Sequence, residues 1–418
     1  MAVQVTTLDN GLRVVTDRMD NVESAALGMW VGVGTRHEEE PINGVSHLLE
    51  HMAFKGTERR SAAQIASEIE AVGGHLNAYT SRETTAYYAR VLMDDVPLAT
   101  DILADILQHS TFDAEELERE RTVILQEIGQ AMDQPEDVVF DAFQETAFPG
   151  QPMGRPVLGS PDVIREIHRD AVAGYMADRY RTRRMVFSAA GRVEHDRIVD
   201  LVAAKFDRLR DGEMAAPEPS RYAGGESRED NDLEQVHLVL GVEGVSYHDP
   251  DYHASQVLST LYGGGMSSRL FQEVREKRGL VYSIYSFMSG VSDGGIFGVY
   301  AGTGEGQANE VLDIVCDEMR KVGEWVNADE VQRARAQLKA SILMSRESTS
   351  ARCEHAAQQM LMFGRPLTVA EIVAKIDAVD EAAVARVARR LGKTAVTVAA
   401  TGPLGRMKDY SEIVARLQ

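Results

Sequence analysis

The chain has 418 residues, of which 44% are hydrophobic and 26% charged, and carries a formal net charge of −21. That length exceeds what one hydrophobic core usually serves, and the composition excludes disordered and fibrous classes. The surplus of carboxylates argues against nucleic acid as a partner, and no window approaches the roughly 20 apolar residues of a membrane helix.

Met1 to Asn10 show neither a basic leader nor an apolar stretch before a cleavage site, so a cytoplasmic location is expected. Cys316 and Cys353 fall outside every motif described below and are expected to be buried free thiols. In chain order, a strand-like run at 25–34 leads into a helical segment containing residues 43–52, then a helix near 62–72. A strand-turn-strand pattern follows at 76–80 and 85–91, then helices near 94–109, 113–131 and 136–147, a strand at 185–191 and a helix near 195–208.

Residues 211–231 are rich in Pro, Gly and charge and read as a linker. Beyond them the order of signals repeats: a strand at 236–242, a strand-turn-strand at 281–286 and 295–300, helices near 306–322, 328–346 and 370–391, and a closing strand at 395–402. The expected fold class is α+β, with two structurally similar halves, each a mainly antiparallel sheet packed with helices. The expected domains are a catalytic one at 1–210 and a similar one without a metal site at 232–418.

The chemistry concentrates in Gly44-Val45-Ser46-His47-Leu48-Leu49-Glu50-His51-Met52. Apolar residues at 45, 48, 49 and 52 follow i, i+3, i+4, i+7 and form one stripe, which leaves His47, Glu50 and His51 together on the opposite face. Two imidazoles one helical turn apart can share a cation, and the carboxylate beside them can take a proton from a water held there. Chance placement of three polar residues on a solvated face is the alternative. Glu120 and Glu127, seven residues apart, differ by only about 20° around a helix and border the stripe of Leu117, Ile124 and Ile128. Partly buried carboxylates need a metal, a histidine or an arginine as partner. Paired surface glutamates are the plain reading.

On these residues the chain resembles the pitrilysin or insulinase family of zinc peptidases, in particular its processing-peptidase β-subunits and their bacterial relatives. The segment 44–57 looks like the family's active-site segment, and Glu127 follows His51 at the family's spacing for a third zinc ligand. The resemblance implies one Zn2+ per chain held by His47, His51 and Glu127, with Glu50 as catalytic base and Glu120 supporting the ligand shell. Arg275 and Tyr282 match an Arg and Tyr seven residues apart that steady the substrate carbonyl. Asn77, Ala78, Tyr79 and Thr80 resemble the edge strand that receives an extended peptide in a chamber enclosed by the two halves.

Glu136, Asp137 and Asp141 resemble a β-subunit segment that receives an arginine near the cleavage site, although Asp137 replaces a glutamate of that pattern. Between Asp113 and Glu145 there are eleven acidic side chains against two basic ones. The second half carries His253 without a carboxylate in register, hence no second metal site. In the mitochondrial processing peptidase of this family a separate subunit carries a long glycine-rich loop, whereas this chain has only Gly263-Gly264-Gly265 in the corresponding half, so a homodimer is expected. The rival reading is a non-catalytic scaffold or partner subunit, since some relatives are kept for assembly.

Overall fold

A computed structural model describes residues 3–418 except Glu213 and Ala215, both of which belong to the expected linker. The chain runs β1 (Gln4–Thr7), β2 (Arg13–Arg18), β3 (Ser24–Val31), α1 (Val45–Ala53), α2 (Ala62–Ala71), β4 (His75–Thr80), β5 (Thr85–Leu92), α3 (Val96–Gln108), α4 (Ala114–Met132) and α5 (Pro135–Ala147). It continues with α6 (Pro161–Glu166), α7 (Arg169–Arg179), β6 (Met185–Gly191), α8 (His195–Lys205), β7 (Gly225–Asp230), β8 (Val236–Glu243) and α9 (Tyr252–Gly263). After one π-helical turn at Phe271–Glu276 come β9 (Val281–Gly290), β10 (Gly295–Thr303), α10 (Ala308–Glu324), α11 (Ala328–Ser345), α12 (Thr349–Phe363), α13 (Val369–Asp377), α14 (Glu381–Leu391), β11 (Val396–Gly402) and α15 (Tyr410–Leu417).

Two compact units result. The first comprises residues 1–129, 155–218 and 344–367, and the second 130–154, 219–343 and 368–418. These units depart from the expected halves because α5 belongs with the second and α12 with the first. The expected linker also holds β7, and the helix expected at 370–391 is two helices, with Asp380 capping the second through Ala383 N.

The sheet of the first unit has the order β1-β2-β6-β3-β5-β4 and that of the second β7-β11-β8-β10-β9. Each contains one parallel pair, β2 with β6 and β7 with β11, and is otherwise antiparallel. Matching these pairs superposes the orders strand for strand, apart from the additional β1. The duplication therefore extends to pairing topology.

Both central sheets are buried on two faces, which explains apolar runs in place of alternation. In the first unit Leu27, Met29, Val31, Tyr87 and Phe187 face the main core with α1 and α3. The opposite face carries Ala26, Trp30, Ala86, Val186 and Ala190 and is closed by Cys353, Ala356, Ala357 and Met360 of α12. In the second unit Val239, Ile296, Tyr300 and Ala399 are closed by Val139, Phe143 and Ala147 of α5. Ala26, Ala86 and Ala190 let α12 lie close against the face of the first sheet. Cys316 and Cys353 are free and buried, and burial pushes each thiol up to about 12.

Register is locked at matching points. Gly191 ends β6 at φ +117° and Gly402 ends β11 at φ +121°, and a Cβ on either would lie 2.3 Å from a backbone oxygen, that of Ser24 or Gln235 respectively. Only glycine fits both the conformation and the gap. Gly402→Ala is expected to destabilise the protein by about 2–4 kcal/mol, whereas Gly129→Ala, whose Cβ meets open space on α4, should stabilise it by roughly 0.5–1 kcal/mol. Guanidinium unfolding measures both, and equal midpoints for the two variants would contradict the packing described.

Candidate active site

Helix α1 has nine residues and begins at Gly44 with no side-chain cap. A buried carboxylate from upstream takes that place: Glu38, 3% exposed, accepts hydrogen bonds from Gly44 N at 2.7 Å, Ser46 N at 2.8 Å and Asn43 Nδ2 at 2.8 Å. A negative charge there also complements the helix dipole. Val45, Leu48, Leu49 and Met52 are fully buried, so the stripe read from sequence is the packed face. His47, Glu50 and His51 occupy the other.

The rings of His47 and His51 lie 4.6 Å apart, and both meet Glu127 of α4. Glu127 Oε2 stands 3.8 Å from His47 Nε2 and 3.6 Å from His51 Nε2, and ligand atoms of the three residues all lie within 4.8 Å of one another. Glu127 Oε2 is buried and has no hydrogen-bond partner among the described residues. Donors around a tetrahedral zinc with bonds near 2.1 Å are separated by about 3.4 Å. The spacing is therefore too wide for hydrogen bonds and close to what a shared cation requires. Two imidazoles and one carboxylate fit zinc and leave one position of a four-coordinate shell for water.

Burial and the neighbouring His51 push the His47 imidazolium down to about 4, so the ring offers a free lone pair at neutral pH. His51 Nδ1 lies 3.0 Å from Glu120 Oε2, which directs Nε2 toward Glu127. Glu120, 5% exposed, is in turn paired with Lys55 Nζ at 2.7 Å. Burial raises the Glu50 carboxyl above its ordinary range, opposed by the Thr80 hydroxyl, which donates to Glu50 Oε2 at 2.5 Å, and by His51. Higher proton affinity makes a better general base.

The structure thus brings together His47, Glu50, His51, Glu120, Glu127 and Thr80 in the first unit. Thr80 ends β4, an edge strand that among the described residues pairs only with β5. Ala78 packs toward the main core, while Tyr79 turns to the opposite face, where its hydroxyl meets Trp30 Nε1 at 3.2 Å and Glu354 Oε1 at 3.0 Å. Asn77 is exposed, and its Oδ1 accepts from Ala78 N.

Arg275 and Tyr282 belong to the second unit, where the Arg275 guanidinium lies 4.8 Å from the Phe271 ring centre and 5.3 Å from that of Tyr282. Tyr282 is 79% exposed. Glu136, Asp137 and Asp141 lie along α5 in the same unit, and Glu136 Oε1 accepts from the Tyr285 hydroxyl at 2.6 Å. His253 bonds Gln256, and among the described residues no candidate metal cluster includes it. Sequence reasoning missed Glu38 and Lys55. Glu38 leaves no signal because it caps a helix six residues ahead, and Lys55 because it lies beyond the end of α1 and meets Glu120 of another helix.

Two family descriptions match in succession: Insulinase (Peptidase family M16) over residues 13–161 and Peptidase M16 inactive domain over residues 166–338. An uncharacterized zinc protease of Streptomyces coelicolor is 42% identical over 412 residues, covering 96% of this chain and 90% of that protein. The chain belongs to peptidase family M16. A second relative, the mouse mitochondrial-processing peptidase subunit beta, is 37% identical over 99% of this chain and 87% of its own length. The fold matches that of a protease from Helicobacter pylori, with a TM-score of 0.89 and 21% identity over 96% and 99% of the two chains. It also matches a chain of complex III from Candida albicans, with a TM-score of 0.88 and 21% identity over the full length of both. Among the described residues no helix is long and apolar enough to cross a membrane.

Glu120→Gln removes the charge between His51 and Lys55 and is expected to weaken Zn2+ binding by roughly 10- to 100-fold. Competition against a chromophoric chelator measures this. Unchanged affinity would mean that Glu120 does not orient His51.

Proposed function

We propose that this chain is a zinc-dependent endopeptidase cleaving extended peptides, with His47, His51 and Glu127 as ligands of one zinc ion and Glu50 as general base. The observation that carries the reading is the buried, unpartnered Glu127 oxygen facing two imidazoles, with Glu50 on the same helical turn. When bound, zinc supplies a Lewis acid and acidifies a coordinated water. Glu50 takes a proton from the attacking water and returns it to the departing amine. The free edge of β4 takes the peptide backbone as an added strand, which favours extended conformation over particular side chains. Arg275 and Tyr282 are assigned to the developing negative charge on the carbonyl oxygen.

The acidic turn of Glu136, Asp137 and Asp141 is read as favouring an arginine in the substrate, by opposite charge. Kinship with a mitochondrial-processing peptidase subunit beta supports peptides as the substrate class. A homodimer and a cytoplasmic location complete the proposal, and mass measurement in solution tests the first. The inactive-domain description over 166–338 accords with a single metal per chain.

Glu50→Gln is expected to lower turnover of a quenched peptide by at least about 100-fold while zinc content stays at one per chain. Retained activity would remove Glu50 from its role, and a wild-type chain that holds zinc but cleaves nothing would favour the scaffold reading. In peptide-library cleavage, Asp137→Asn with Asp141→Asn should lose preference for arginine. An unaltered profile would discard the acidic-site assignment.

A further inference from the structure

We propose that Thr80 is a positioning residue for the base: its hydroxyl holds Glu50 in one orientation from the very strand that receives the peptide. The inference rests on the peptidase reading above. Thr80 Oγ1 donates to Glu50 Oε2 at 2.5 Å, the one side-chain hydrogen bond Glu50 makes among the described residues. One carboxylate oxygen is thereby occupied, and Oε1 is left for proton transfer.

The donor itself cannot drift. Threonine is stiff about χ1, and Thr80 is the last residue of β4, paired with Thr85, whose hydroxyl donates to Val33 O at 2.9 Å. The turn beyond is closed by Ser81 N to Thr84 O at 2.8 Å and is tied to the first unit by Thr35 N to Ser81 O at 3.1 Å and Arg36 N to Arg82 O at 2.9 Å. On the opposite face of the strand Tyr79 is held by Trp30 and Glu354. Both faces of β4 are pinned while its outer edge pairs with no strand among the described residues. Glutamate has three side-chain torsions to order, and a fixed donor removes that freedom before substrate arrives. Peptide backbone and base are then referred to the same rigid segment.

The test compares Thr80→Val, which keeps the shape without the hydroxyl, with Thr80→Ser, which keeps the hydroxyl. With zinc-loaded full-length protein and a quenched extended peptide, Thr80→Val is expected to lower kcat roughly 10- to 100-fold, with KM, zinc content and Tm close to wild type. Thr80→Ser should recover most of the loss. In crystals of the zinc-free proteins, the Glu50 carboxylate should remain on residue 80 in wild type and Thr80→Ser and leave it in Thr80→Val. Unchanged kcat in Thr80→Val, or an equal loss in Thr80→Ser, would overturn the positioning role alone. Wild-type protein that binds zinc and cleaves nothing would overturn the peptidase reading, and this role with it.

Discussion

A nine-residue helix is too short to be stable by itself, yet α1 must hold three polar side chains at fixed angles around one point. The tertiary structure supplies what the helix lacks. Glu38 satisfies the first turn, four fully buried aliphatic side chains fix its rotation, and Glu120 and Thr80 engage the polar face. Each contact restrains a different degree of freedom, whether axial register, roll or the torsions of one side chain. The geometry at His47, Glu50 and His51 is therefore a property of the whole first unit.

Much of this was legible in the sequence. The i, i+3, i+4, i+7 stripe located the buried face of α1, and the spacing of Glu120 and Glu127 put both carboxylates on one side of α4. The supporting contacts were harder to read because they depend on residues distant in sequence and close in space. β2 and β7 were overlooked for different reasons. β2 is only six residues with charged ends, while β7, Gly-Glu-Ser-Arg-Glu-Asp, is joined through its backbone at a sheet edge and carries almost no apolar signal. Helix α12 is hard to read because its buried stripe of Cys353, Ala356, Ala357 and Met360 is made mostly of small side chains and stays weakly hydrophobic.

The repeat separates scaffold from chemistry. Strand order, the parallel pair and the strained glycine at its end recur in both units. The cluster of His47, His51 and Glu127 does not recur among the described residues: in α9, His253 is bonded to Gln256. Backbone close approach constrains each copy of the fold identically, whereas the side chains of a polar helix face are free to diverge once one copy carries the reaction.

The placement of α5 and α12 also bears on synthesis. The chain passes from one unit to the other at 129/130, 154/155, 218/219, 343/344 and 367/368. A nascent chain emerging from the ribosome cannot cover the Trp30 face of its first sheet until residue 360 has been made, although the opposite face can be packed some 150 residues sooner. Throughout that interval the apolar surface is open to chaperones or to neighbouring chains, and completion of the first unit waits on the last quarter of the polypeptide.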